Sequence, residues 1–109
     1  MFGIKATILR FTDEWQPGWV ECTFVDASGV SHFFEQKVPV VTVEDLDARS
    51  EYPRDGIIGC TILSVRGEEK GREIMTVDTE LPWGIESKMN QTRFDVFRDQ
   101  VLEFIHGAG

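Results

Sequence analysis

Trp19-Val20-Glu21-Cys22-Thr23-Phe24-Val25-Asp26-Ala27-Ser28-Gly29-Val30-Ser31-His32-Phe33-Phe34-Glu35-Gln36-Lys37-Val38 is the stretch whose reading decides the fold. Its two arms, Trp19 to Val25 and Val30 to Val38, are rich in Val, Phe and Thr, which suit a pleated, half-buried surface. Asp26-Ala27-Ser28-Gly29 joins them. Asp opens such a turn by accepting hydrogen bonds from the chain that follows, and Gly takes the positive φ that closes it. The reading is a β-hairpin. In its first arm Val20, Cys22 and Phe24 share one face, with Glu21 and Thr23 on the other. In the second, Phe33, Glu35 and Lys37 oppose His32, Phe34 and Gln36. Phe33 and Phe34 on opposite faces predict a strand covered on both sides at one end.

Upstream of the hairpin, Ile4 to Phe11 alternates Ile4, Ala6 and Ile8 with Lys5, Thr7 and Leu9 and reads as a first strand. It ends in a polar loop, Thr12 to Gly18, that closes on Pro17-Gly18. Downstream, Pro39 limits the second arm because it offers no ladder donor. Thr42-Val43-Glu44-Asp45-Leu46-Asp47 predicts a short helical turn near Val43–Leu46, with Thr42 as N-cap. Irregular chain follows from Ala48 to Gly56. Gly56 to Val65 is apolar at nearly every position and predicts the most buried strand. The chain turns at Gly67-Glu68-Glu69-Lys70-Gly71 and returns from Arg72 to Thr79. At the end, Thr92 to Phe97 predicts a last strand, with a short helix from Arg98. Phe94, Phe97, Val101, Phe104 and Ile105 also share one helical stripe before Gly107, so a single helix from Thr92 to His106 is the alternative. Turn residues recur roughly every eight to twelve positions, as in a sandwich or barrel. The fold class is mainly β: one domain over residues 1–109, a small barrel or curled antiparallel sheet of about six strands. A short helical turn and a short C-terminal helix complete it.

Bulk properties agree. At 109 residues the chain is near the commonest domain size, and such a chain buries roughly 65% of the surface its unfolded form exposes. Hydrophobic content of 41%, with eight Phe and three Trp, supplies a core. Nineteen acidic residues against eleven basic ones give a net charge of −8, densest from Glu44 to Asp55. Nucleic acid binding draws on Lys and Arg neutralising phosphates, so no nucleic acid partner is expected. Anionic membrane surfaces are disfavoured for the same reason. Solubility alone accounts for the charge, and a basic protein partner is what it otherwise suits. Met1-Phe2-Gly3-Ile4-Lys5 lacks the basic region and long apolar stretch of a signal peptide, and no apolar run has the length of a membrane span. Cys22 and Cys60 lie inside apolar runs and read as buried reduced thiols, the alternative being a disulfide between neighbouring strands. The expectation is a cytoplasmic protein, with monomer and homodimer both open.

Few residues carry a chemical signal. A nucleophile needs a base beside it and access to solvent, but the phase of Cys22 and Cys60 points both into the core. His32 and His106 are the only histidines and neither has a neighbour at metal-ligand spacing. The Asp45/Asp47/Asp55 region lacks the ligand spacing and central Gly of a calcium loop, and Gly56-Ile57-Ile58-Gly59 lacks the Gly-Lys-Ser/Thr of a phosphate cradle. No metal or cofactor is expected. The most unusual segment is Leu81-Pro82-Trp83-Gly84-Ile85-Glu86-Ser87, which places a Trp in a Pro/Gly-punctuated loop. Such a Trp is either a recognition anchor or a lid over an open end of the barrel. Trp15 and Trp19, flanking Pro17-Gly18, carry the same two readings. The candidate partner or ligand surface is therefore Trp83, Glu86, Trp19, Trp15 and His32, with Asp45 and Asp47 from the acidic stretch.

Trp19-Val20-Glu21-Cys22, Phe34-Glu35-Gln36-Lys37-Val38-Pro39-Val40-Val41, Tyr52-Pro53 and Pro82-Trp83-Gly84-Ile85-Glu86-Ser87 resemble stretches of a small bacterial protein family of similar length that has no assigned activity. The resemblance runs from Trp19 to Leu102, implies a bacterial cytosolic origin and supplies no catalytic residue. The leading expectation is a non-enzymatic interaction module, such as an inhibitor or immunity-type partner of a basic protein. The alternatives are a small-ligand or peptide-binding barrel lined by Trp83, Trp19 and His32, a hydrolase-type enzyme using Cys60 or His32, and an oligonucleotide-binding barrel, which the charge resists.

Overall fold

In the computed structural model, residues 1–69 and 71–104 are described, residues 68 and 69 by their backbone alone. Ile4, Ala6 and Ile8 are all buried and make one face of β1 (Phe2–Asp13). The hairpin follows as β2 (Trp19–Val25) and β3 (Ser31–Lys37), in register from Trp19 opposite Lys37 to Val25 opposite Ser31. A single helical turn, α1 (Val38–Val41), and an irregular stretch lead to β4 (Arg54–Glu69), then β5 (Arg72–Asp78) and β6 (Arg93–Phe97). The antiparallel sheet runs β3-β2-β1-β4-β5-β6. After one 3₁₀ turn (Arg98–Gln100), β7 (Val101–Glu103) pairs with Phe2–Ile4 of β1.

The sheet curls because its long strands are interrupted. The β1–β2 register slips between Ile8 and Arg10 and between Phe11 and Asp13, and the β4–β5 register slips twice more. Each extra residue bends its strand and increases the local twist. The curl carries the chain leaving β6 back to β1 and makes a half-barrel. Inside it Phe94 of β6 meets the hairpin, with its ring centroid 5.1 Å from Phe24, 5.8 Å from Phe34 and 4.7 Å from His32. Edge-to-face pairs of this kind add about 0.5–1.5 kcal/mol each beyond the area they bury. Two hydrogen bonds tie the same surfaces, Ala27 N–H to the Asp95 carbonyl at 2.8 Å and Gln100 Nε2 to the Val25 carbonyl at 2.7 Å.

The hairpin turn has the expected chemistry. Asp26 Oδ1 accepts from the Ser28 and Val30 amides at 2.8 and 3.0 Å, and Gly29 has φ +84°. Four expectations need correction. Phe33 is 42% exposed, so β3 is covered on one side only, by its contact with Phe94. The helical turn is Val38–Val41, and Thr42 is its C-cap. Pro39 both ends the strand and sits in the helix's first turn, where no amide donor is required. β4 is buried at Ile58 and Cys60, but Leu63 and Val65 are exposed, since no described residue covers that face beyond Thr61. The C-terminal helix from Arg98 is only one 3₁₀ turn, because the backbone of Val101–Glu103 finds a partner strand in β1. Ile105, His106 and Gly107, and Lys70 in the β4–β5 turn, lie outside the described residues. No helix among the described residues is long and apolar enough to cross a membrane.

Asp26 also holds His32, with Oδ2 at 2.7 Å from Nε2. Burial by itself would raise the Asp26 pKa, but the bonds from His32, Val30 and Ser28 together outweigh it and leave the carboxyl below its ordinary value. The unfolded chain therefore takes up this proton first as pH falls. The stability Asp26 contributes is complete above the unfolded carboxylate's pKa and is lost as pH drops through the lowered folded value. Asp26→Ala should cost about 1–3 kcal/mol at neutral pH and should flatten the loss of stability in acid. Denaturant melts across the acidic range measure both.

Candidate functional site

An apolar groove of about 580 Å³ lies between the segment that follows β3 and the start of β4. α1 and the chain to Leu46 form one wall, presenting Val40 and Val43, and Asp55–Ile57 of β4 form the facing side. Trp83 and Phe104 close one end. Glu44, Asp45 and Asp55 contribute carboxylates to its lining. Glu44 is paired with Arg54. Asp45 and Asp55 are exposed and have no ion-pair partner among the described residues.

Trp83 reaches this groove because of two glycines. Gly3 of β1 and Gly59 of β4 are directly opposite each other and leave a patch of sheet without side chains. A methyl group on Gly59 would lie 2.6 Å from two Trp83 ring carbons. One on Gly3 would overlap Ile57 and stand 3.0 Å from Phe104. Glycine inside a strand marks a close approach, here of an indole lying on bare backbone. The ring centroids of Trp83 and Phe104 are 6.1 Å apart. The loop carrying Trp83 is held by the Thr79 hydroxyl, which donates to the Ile85 carbonyl at 2.6 Å, and by Gly84 at φ +64°. Ile85 is fully buried in the core while Trp83 is half-buried outside it. Trp83 is thus a fixed wall of an open groove on the sheet, and Ile85 is the residue that plugs the interior.

The other candidates lie apart from Trp83. Trp15 is 77% exposed and does not line the groove, although Pro17 of the same loop does. Trp19 begins β2, with the Lys37 ammonium 5.7 Å from its ring centroid. Glu86 is exposed and accepts a bond from Asn90 at 3.1 Å. Asp47 organises its own turn: its carboxylate accepts from the Arg49 amide at 2.8 Å, and its carbonyl from the Tyr52 hydroxyl at 2.8 Å. His32 faces a second cavity of about 390 Å³ beside Glu21 and Phe33. There Glu21, buried on the face read as the outer one, is held by Lys88 and by Arg10 at 2.7 Å. The bond from Lys88 lowers its pKa against the burial that would raise it. This carboxylate is already neutralised, so the second cavity lacks the unpaired charge of the first.

Of the sequence candidates, Trp83 and Asp45 are brought together, and Asp55, Ile57 and Phe104 join them. The in-strand glycines were the available signal for that meeting. Asp55 was visible as part of the acidic stretch, whereas Glu21 gave no sign of burial. The thiols of Cys22 and Cys60 are free and buried, and burial pushes them up to about 12 and about 11. Neither is a thiolate at neutral pH, so neither is poised as a nucleophile. No group of three or more His, Cys, Asp or Glu able to hold a metal ion occurs among the described residues. No protein-family model matches the chain, and no curated protein or solved structure is significantly similar to it.

Gly59→Ala should displace the Trp83 ring, costing about 1–3 kcal/mol through overpacking. A lower melting temperature with red-shifted tryptophan emission is the expected result. Alkylation of the folded protein at neutral pH should modify Cys22 and Cys60 far more slowly than in the denatured chain, as peptide mapping would show.

Proposed function

We propose that this chain is a non-enzymatic protein-interaction module that recognises a basic partner through the face bearing the groove. An inhibitor or immunity-type protein directed at a basic target is one concrete form. The observation that carries the reading is the convergence, on one apolar groove, of a Trp83 ring packed on Gly59 with carboxylates that have no ion-pair partner among the described residues. A net charge of −8 attracts a basic protein at range and raises its association rate. That field is not cancelled locally. Arg66, Arg72, Arg93 and Arg98 are each paired with a carboxylate elsewhere on the surface. Asp45, Asp47, Glu51 and Asp55 have no such partner among the described residues. The aromatic wall supplies the desolvated contact in which interface energy concentrates. The buried free thiols suit a reducing, cytoplasmic setting. A second reading, a small-ligand pocket, is favoured by the groove's volume, which falls within the usual range for such sites.

Capture from a lysate of the encoding organism at low salt, compared between wild type and an Asp45→Asn/Asp55→Asn variant, tests the proposal. A basic protein enriched on the wild type, recovered roughly tenfold less on the variant and released by salt, is the expected outcome. Equal recovery on both would remove the groove from the interface. Tryptophan quenching by a small metabolite, with no protein enriched, would favour the second reading.

A further inference from the structure

Among the described residues, one edge of β4 is unpaired where it borders the groove. Along Arg54–Cys60 β4 pairs with β1, but β5 joins its other edge only from Thr61 onward. No backbone hydrogen bond from Arg54–Cys60 to anything but β1 occurs among the described residues. In an antiparallel ladder alternate residues direct both N–H and C=O to the same edge, so this stretch presents main-chain donors and acceptors to the groove. On the opposite wall the chain from Thr42 to Leu46 belongs to no helix or strand. The groove thus has a backbone edge along one side, an apolar end at Trp83 and Phe104, and free carboxylates at Asp45 and Asp55.

We infer that the groove takes an extended segment of the partner, added as a short strand to the free edge of β4 at Asp55–Ile57. This segment carries a large apolar side chain beside a lysine or arginine. The inference rests on the interaction-module reading and specifies its mode. Main-chain bonds to the edge give affinity, while side-chain pockets select the sequence. The apolar side chain packs over Ile57 against the Trp83 ring, which already lies on Gly59, so less ordering is required on binding. The cation pairs with Asp45 or Asp55, neither of which has an ion-pair partner among the described residues. Glycine pairing, open edge and acidic rim coincide at one place on the molecule.

The test uses the full chain and three short acetylated, amidated peptides at low salt. The first alternates leucine and lysine, the second is its counterpart N-methylated on alternate residues, and the third is oligolysine of matched charge. The leucine–lysine peptide should bind and slow hydrogen exchange at the amides of Asp55–Ile57. N-methylation should weaken it about tenfold or more, the loss of one or two hydrogen bonds. Oligolysine should bind much more weakly, and Gly59→Ala should weaken the leucine–lysine peptide while leaving oligolysine unchanged. Equal binding of the N-methylated peptide, or protection at another edge, would overturn strand addition. Oligolysine binding as well as the leucine–lysine peptide would overturn the groove's selectivity yet leave recognition of a basic protein standing. No binding by any of the three would overturn both.

Discussion

The structure depends on β1 being paired along both edges. β4 takes one edge from Phe2 to Ile8; β2 and β7 divide the other, β7 at Phe2–Ile4 and β2 from Thr7 onward. A strand so placed has much of its backbone from Phe2 to Ile8 paired on both sides and its apolar face, Ile4, Ala6 and Ile8, buried. Because β2 and β7 come from opposite ends of the chain, the sheet has to curl for both to reach it. The bulges supply that curvature, and the Phe94 contacts with the hairpin hold it closed.

The same arrangement creates the groove. β4 is longer than either neighbour can cover, so its first half pairs with β1 and its second half with β5. What is left over, among the described residues, is an open edge beside the irregular chain after α1. The two facing glycines then let Trp83 and Phe104 settle at its end. Charge follows a comparable division. Across β4, β5 and β6, arginines and carboxylates neutralise one another, with Arg66 bound to Asp95 at 2.6 Å and Thr76 donating to the same carboxylate at 2.6 Å. Exposed pairs of this kind add little stability. They do confine the unbalanced negative charge, and the segment from Asp45 to Asp55 holds a concentrated share of it.

Much of the strand pattern was legible in the amino-acid order, because it rests on interactions between near neighbours. The Asp26–Gly29 turn is chemistry within a few residues, and so is the alternation that buries Val20, Cys22 and Phe24. The helical turn was placed too late because Pro39 was read only as the end of a strand, when the same residue also opens a helix. β7 was missed because three residues have no periodicity of their own; their conformation comes from β1, at the far end of the chain. The candidate site was legible in parts. Trp83 and Asp45 stood out by residue type, while Trp15, Trp19, His32 and Asp47 stood out equally and serve elsewhere.

Amino-acid order alone determined the antiparallel character, the hairpin and its turn, the burial of both cysteines and the excess of negative charge. Each of these follows from local turn chemistry, period-two alternation or composition. Only the tertiary structure decided which acids meet which tryptophan, that Glu21 is buried between Arg10 and Lys88, and that no described strand pairs with one edge of β4 along Arg54–Cys60. Those outcomes are set by how far each strand outruns its neighbour and by what a glycine lets approach. Both depend on residues distant in sequence, between which no local preference chooses.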